Sequence, residues 1–209
     1  PILNLARPEL MCYGVESASE LEELLRPANA LSVGPGLGQS EWAIALFQKA
    51  IETNLPMVVD ADALNLLSKN PQHHDNWVLT PHPGEAARLL GCSSEEIQAD
   101  RFAAVYELQR RYGGVVVLKG SGTLISNGEA PTRLSTWGNP GMGSGGMGDV
   151  LAGVIGGLLA QHFPIMDAAC VGVTLHGMAA DKAAELDGER GTLAMDLMPH
   201  LRRLANLIY

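Results

Sequence analysis

The residues able to do chemistry crowd into one stretch, Gly141-Met142-Gly143-Ser144-Gly145-Gly146-Met147-Gly148-Asp149. Five glycines in eight positions let successive backbone N–H groups turn to one side and let a ligand approach the main chain closely. The apolar run from Val150 predicts a helix over Val150 to Ala160. Such a helix aims its unpaired N–H groups and positive dipole end at the loop, which makes a phosphate site. Asp149 is out of place there, because a carboxylate beside bound phosphates is unfavourable unless it takes a proton or helps hold a metal. Read as structure alone, the stretch is a surface loop entering an ordinary helix, but the apolar run follows the glycines without a linker.

Three other clusters could share that chemistry. Lys119-Gly120-Ser121-Gly122-Thr123 follows an apolar run and combines a cation, two flexible positions and two hydroxyls, a set that suits nucleotide phosphate or ribose. The same residues could instead be a β-turn into a hairpin with Leu124-Ile125-Ser126, and the spacing is not that of a P-loop. In Pro81-His82-Pro83-Gly84-Glu85 two prolines hold His82 away from helical backbone, as a substrate contact above a sheet would need. A helix entry alone accounts for Pro83 and Glu85 but leaves His82 unexplained. In Asp60-Ala61-Asp62, Asp62 reads as a helix N-cap and Asp60 as the functional candidate. Gly34-Pro35-Gly36-Leu37-Gly38 lacks the spacing and the downstream acid of a dinucleotide fingerprint.

These clusters need a scaffold, and the chain supplies a repeating one. Ala30–Val33, Pro56–Val59, Trp77–Leu79 and Val115–Leu118 are short apolar runs, broken only at Ser32, each ending in a glycine-rich or polar turn. Helical patterns follow the first three: one capped by Ser40, one over Ala63 to Ser68, and one over Ala86 to Leu90 with Gly91 as C-cap. A single long helix is predicted over Ser94 to Tyr112, and two more near Asp167 to Glu185 and Ala194 to Asn206. Strands buried on both faces lose their in/out alternation, so the pattern predicts an α/β domain with a mainly parallel sheet sandwiched by helices. Ligands bind such sheets outside the carboxyl ends of the strands, where Gly36, Asp60, Asp62, His82, Lys119 and Thr123 fall.

Composition narrows the partners. With 209 residues, 46% of them hydrophobic and 18% charged, the chain fits one globular domain. A net charge of −9 argues against broad nucleic-acid or anionic-membrane surfaces. Cys12, Cys92 and Cys170 follow no metal or redox spacing, which predicts reduced thiols in a cytoplasmic protein. No apolar stretch reaches transmembrane length. The chain begins at Pro1, without an initiator Met.

Five motifs in this order, Gly34–Gly38, Asp60–Asn65, Thr80–Glu85, Lys119–Thr123 and Gly145–Asp149, resemble those of the ADP-dependent NAD(P)H-hydrate dehydratases, the carbohydrate-kinase-like enzymes of the ribokinase superfamily. The resemblance runs from about Ala6 to the final helix. It implies a ribokinase-like three-layer α/β sandwich and a repair reaction, the return of hydrated NADH or NADPH to NAD(P)H at the expense of ADP (or ATP). By the same resemblance Asp149 is the base toward the substrate hydroxyl. Lys119, Gly120, Ser121, Gly122, Thr123 and Gly148 then hold the nucleotide, while Gly36, His82 and Asp149 face the substrate. Mg²⁺ and a homo-oligomer are further implications, although no residue identifies the metal ligands. Members of this group usually carry a first βα segment before the position of Arg7, and this chain starts after it, so the domain over residues 1–209 reads as partial at its N-terminus. A small-molecule kinase of the same superfamily and a non-catalytic nucleotide-binding module are the alternatives.

Overall fold

A computed structural model of the chain describes residues 7–129 and 131–206, so Ala6 and Pro1 lie outside the described residues. Its six strands, β1 (Leu31–Val33), β2 (Met57–Val59), β3 (Trp77–Leu79), β4 (Val115–Leu118), β5 (Thr123–Ser126) and β6 (Arg133–Ser135), form one open sheet in sequence order. The first four are parallel, while β5 and β6 return antiparallel. Parallel neighbours need crossovers. After α1 (Ala18–Leu25), these are supplied by α2 (Glu41–Glu52), α3 (Ala61–Lys69) and the run α4 (Pro83–Leu90), α5 (Ser94–Ala99) and α6 (Arg101–Tyr112). The chain closes with α7 (Met147–Ala160), α8 (Ile165–Asp187) and α9 (Leu197–Ala205).

Alternate strand residues feed two separate cores, which is why the apolar runs of β2, β3 and β4 are uninterrupted. Val58, Val78, Val115, Val117 and Ile125 pack on Leu151, Ala152 and Ile155 of α7 and Ala168, Ala169 and Val173 of α8. Val59, Leu79, Val116 and Leu118 pack on the opposite layer, from Phe47 of α2 to Leu108 of α6. The result is the three-layer sandwich with a mostly parallel sheet that the alternation predicts. Met147 joins a third cluster with Ala179, Ala180, Leu197 and Leu201, so α7 and α9 are both seated on α8.

Three local expectations change. The stretch Ser94 to Tyr112 is two helices, because Asp100 leaves helical backbone and its carboxylate accepts the Ala103 N–H, capping α6. The helix after the glycine loop starts at Met147, so Gly148 and Asp149 lie in its first turn rather than before it. Asp60, not Asp62, occupies the N-cap position of α3, and Asp62 instead accepts the Gly38 N–H at 2.8 Å. Lys119–Thr123 does turn β4 into β5, so the hairpin reading of that stretch holds. Neither α1 nor β6 follows from the sequence pattern. Among the described residues no helix is long and apolar enough to cross a membrane.

Candidate active site

The carboxyl ends of β2, β3 and β4 converge on a buried polar cluster. Asp60 ends β2 and is only 1% exposed. Its Oδ1 accepts the Thr80 hydroxyl at 2.8 Å and the Lys119 ammonium at 2.8 Å. Glu85 stands on the other side of Lys119, with Oε2 3.9 Å from Nζ, and the same oxygen accepts the His82 N–H at 2.8 Å. One buried carboxylate paired with an ammonium and a hydroxyl satisfies the requirement that buried charge be compensated. The backbone is equally tied, since Asp60 N–H donates to Val33 and Lys119 N–H to Pro81.

The first turn of α7 lies against this cluster. A Cβ on Gly148 would stand 3.2 Å from Lys119 Nζ and 3.6 Å from Asp60 Oδ2, so the position admits glycine without displacement and little else. Asp149, the next residue, is exposed on that turn. Gly146 at the N-cap takes φ 86°, the left-handed region that favours glycine, and turns the loop into the helix. The α7 N–H groups, the dipole end and Asp149 therefore share one mouth. Below it the carboxylates of Asp60 and Glu85 flank the ammonium of Lys119, while Asp149 is exposed on the turn above. An anion here must be held chiefly by backbone N–H groups.

His82 has a structural task that its sequence context concealed. Its Nδ1 accepts the Gly84 N–H at 2.9 Å, which makes it the N-cap of α4, and Glu85 completes a capping box. Nε2 lies 3.6 Å from Glu85 Oε1 on a half-exposed ring, so one edge still faces outward. Gly36 takes φ 67° past the end of β1, and a Cβ there would meet open space.

The hairpin loop is held by a residue that sequence reasoning missed. Arg101, first in α6, donates to the carbonyls of Ser121 at 2.7 Å and Leu118 at 3.1 Å. The guanidinium fills the space beside Gly120, whose φ of 146° and contacts leave no room for a side chain. Thr123 Oγ1 donates to the Gly120 carbonyl at 3.1 Å, leaving the Ser121 and Thr123 loop firm rather than free. The break at Asp100 aims Arg101 at this loop.

His176 on α8 is the other missed residue. It is 6% exposed, and its Nε2 has no hydrogen-bond partner among the described residues. Burial holds its pKa down, from an ordinary 6.5 to about 4, with the nearby Lys119 ammonium adding to the effect and a backbone hydrogen bond with Met147 opposing it. A neutral imidazole is thus lodged beneath the first turn of α7. Among the described residues no three His, Cys, Asp or Glu side chains gather as a metal site.

Comparison with known proteins gives the family and the fold. A family model described as NAD(P)H-hydrate dehydratase matches residues 2–203. A bifunctional NAD(P)H-hydrate repair enzyme of Coxiella burnetii is 55% identical over 206 residues, which is 99% of this chain but 42% of that protein. The chain thus spans less than half the length of that relative. The ADP/ATP-dependent NAD(P)H-hydrate dehydratase of Bacillus subtilis, crystallised with ATP and Mg²⁺, superposes with a TM-score of 0.78 at 30% identity, covering 87% of this chain and 65% of that one. A ribokinase-like superfamily protein of Enterococcus faecalis superposes with a TM-score of 0.85 at 29% identity, covering 99% of this chain and 72% of that one. The family model covers nearly the whole sequence, and the solved structures share its mostly parallel sheet: the chain belongs to the NAD(P)H-hydrate dehydratase family.

Proposed function

We propose that this chain dehydrates hydrated NADH or NADPH back to NAD(P)H, using ADP or ATP as the phosphoryl donor. The observation that carries the reading is Gly148 against the Lys119–Asp60 pair with Asp149 beside it at the mouth of the glycine loop. In this reading the Asp149 carboxylate meets a donor phosphoryl group and an acceptor hydroxyl there. The hydroxyl on the hydrated ring is a poor leaving group, so phosphorylation divides one hard step into two easier ones.

Asp149 takes the proton of the ring hydroxyl as its oxygen bonds to the terminal phosphorus of the donor. The bond to the remaining nucleotide breaks, so ADP leaves as AMP. The loop N–H groups stabilise charge on the transferred group. The C–O bond then breaks with its electron pair leaving on phosphate. Loss of a proton from the neighbouring ring carbon forms the double bond of NAD(P)H. In this reading Lys119 keeps the floor of the site in place, as its bonds to Asp60 and Glu85 suit it to support the first turn of α7. Gly120 to Thr123 border the nucleotide, while Gly36 and the outward edge of His82 border the hydrated ring.

Among the described residues no three carboxylate, histidine or cysteine side chains gather as a dedicated Mg²⁺ cage, and Asp60 Oδ1 is already engaged by Lys119 and Thr80. An ion accompanying the nucleotide phosphates suits a mouth with surplus carboxylate charge, and no step above runs through it. Product analysis by phosphorus NMR tests the reading. Free inorganic phosphate together with reduced cofactor supports it. A stable phosphorylated product would make the chain a kinase instead.

A further inference from the structure

The glycine loop is fixed from both sides by groups that take no part in the chemistry above. On the far side the short turn Pro140–Gly143 is pressed against the segment after α8. A Cβ on Gly141 would lie 2.5 Å from the Glu189 carbonyl oxygen and 2.9 Å from Thr192 Oγ1. That wall is itself firm, since buried Thr192 donates to the Gly188 and Glu189 carbonyls at 3.3 and 3.1 Å. On the near side the loop is hooked by one carboxylate, Asp181 of α8. Its Oδ2 accepts the Gly138 N–H at 3.0 Å, and its Oδ1 accepts the Asn139 side-chain amide at 2.9 Å.

The second of these bonds decides how Asn139 is oriented. With its NH₂ turned to Asp181, its Oδ1 must point away, and that oxygen accepts the Gly141 N–H at 3.0 Å. Asn139 thereby caps the turn that leads into Ser144-Gly145-Gly146. A carboxylate accepts only, whereas an amide both donates and accepts, so the polarity of this relay runs one way.

We propose that Asp181 is a positioning residue for the phosphate-binding loop, acting through Asn139 to set the direction in which the loop N–H groups point. The inference rests on the nucleotide-dependent reaction proposed above. Preorganised donors stabilise a transferring phosphoryl group only while they are aimed at it, and misplacement by an ångström costs about 10²-fold in rate.

The test uses Asp181→Asn, Asp181→Ala and the double variant in which Asn139→Asp is combined with Asp181→Asn. In Asp181→Asn the single amide oxygen can serve only one of the two donors. Kept on the Gly138 N–H, it leaves NH₂ against the Asn139 NH₂, so Asn139 turns over and its cap on Gly141 is lost; turned to Asn139, it leaves the Gly138 N–H against an NH₂. Either way one tether of the loop is lost without loss of volume. In the double variant the two side chains have changed places. The amide at position 181 donates to the carboxylate at position 139, and that carboxylate still accepts the Gly141 N–H. The expected result is a fall in kcat of about 10²-fold for Asp181→Asn and Asp181→Ala. The double variant should recover kcat to within about tenfold of the parent, while its nucleotide KM stays raised because a carboxylate now sits on the loop. Unchanged kcat in Asp181→Asn overturns the proposal. So does failure of the double variant to recover, or an Asp181→Asn that is unfolded at the assay temperature, since Asp181 would then be a folding residue. An inactive parent protein would instead count against the proposed reaction, which separates the two failures.

Discussion

Lys119 Nζ and Asp60 Oδ1 stand 2.8 Å apart, joining the ends of strands β4 and β2 beneath the first turn of α7. The side chain of Asp60 is 2% exposed and that of Lys119 20%, so the pair works at low local dielectric and neither partner is readily replaced by water. The site is built on this contact. The helix carrying Asp149 can approach only because Gly148 has no side chain to meet the ammonium.

Gly148→Ala should therefore separate stability from activity. An added Cβ 3.2 Å from a pinned ammonium must push Lys119 or lift α7 by a few tenths of an ångström. Alanine gains about 0.5–1 kcal/mol over glycine within a helix, which offsets much of that strain. The melting temperature should change little while kcat falls about tenfold or more. Steady-state kinetics beside thermal melting check this, and an unchanged kcat would contradict it.

Asp149→Asn keeps shape and removes the base. General acid–base contributions run to about 10²–10⁴-fold, so kcat should fall by that range. Nucleotide binding, measured by calorimetry, should be as tight or tighter because a negative charge leaves the mouth of the phosphate site. A variant with full activity would remove Asp149 from the mechanism.

His176 makes stability depend on pH. Its folded pKa of about 4 lies below the ordinary 6.5, so below pH 6.5 the unfolded chain binds a proton that the folded chain refuses. The contribution is absent above pH 6.5. As pH falls from 6.5 towards 4, it destabilises progressively, by on the order of 3 kcal/mol in all. Denaturation at pH 7.5 and pH 5 should show the loss, and His176→Gln should flatten that part of the profile. An equal slope in both proteins would refute the assignment.

What could be read from the sequence follows from where each signal resides. The parallel strands β2, β3 and β4 were legible because burial on both faces leaves uninterrupted apolar runs such as Val115–Leu118, whereas β1 carries the exposed Ser32. The glycine loop and Asp149 were legible because their chemistry is written in adjacent residues. The break at Asp100 was not, since no glycine or proline marks it and only the cap on Ala103 creates it. The Asp60–Lys119 and Asn139–Asp181 contacts span 59 and 42 residues, so no local pattern records them. His82 was singled out for its two prolines, yet its capping of α4 appears only once Gly84 is placed.

The central claim is that one site joins a nucleotide and a hydroxylated reduced cofactor through Asp149. Its most direct measurement is the dihydronicotinamide absorbance of hydrated NADPH mixed with ADP, Mg²⁺ and the protein carrying this chain. Return of that absorbance, with AMP and phosphate appearing in equal amounts, is the predicted result. Absorbance that stays flat while the nucleotide remains intact would contradict the account.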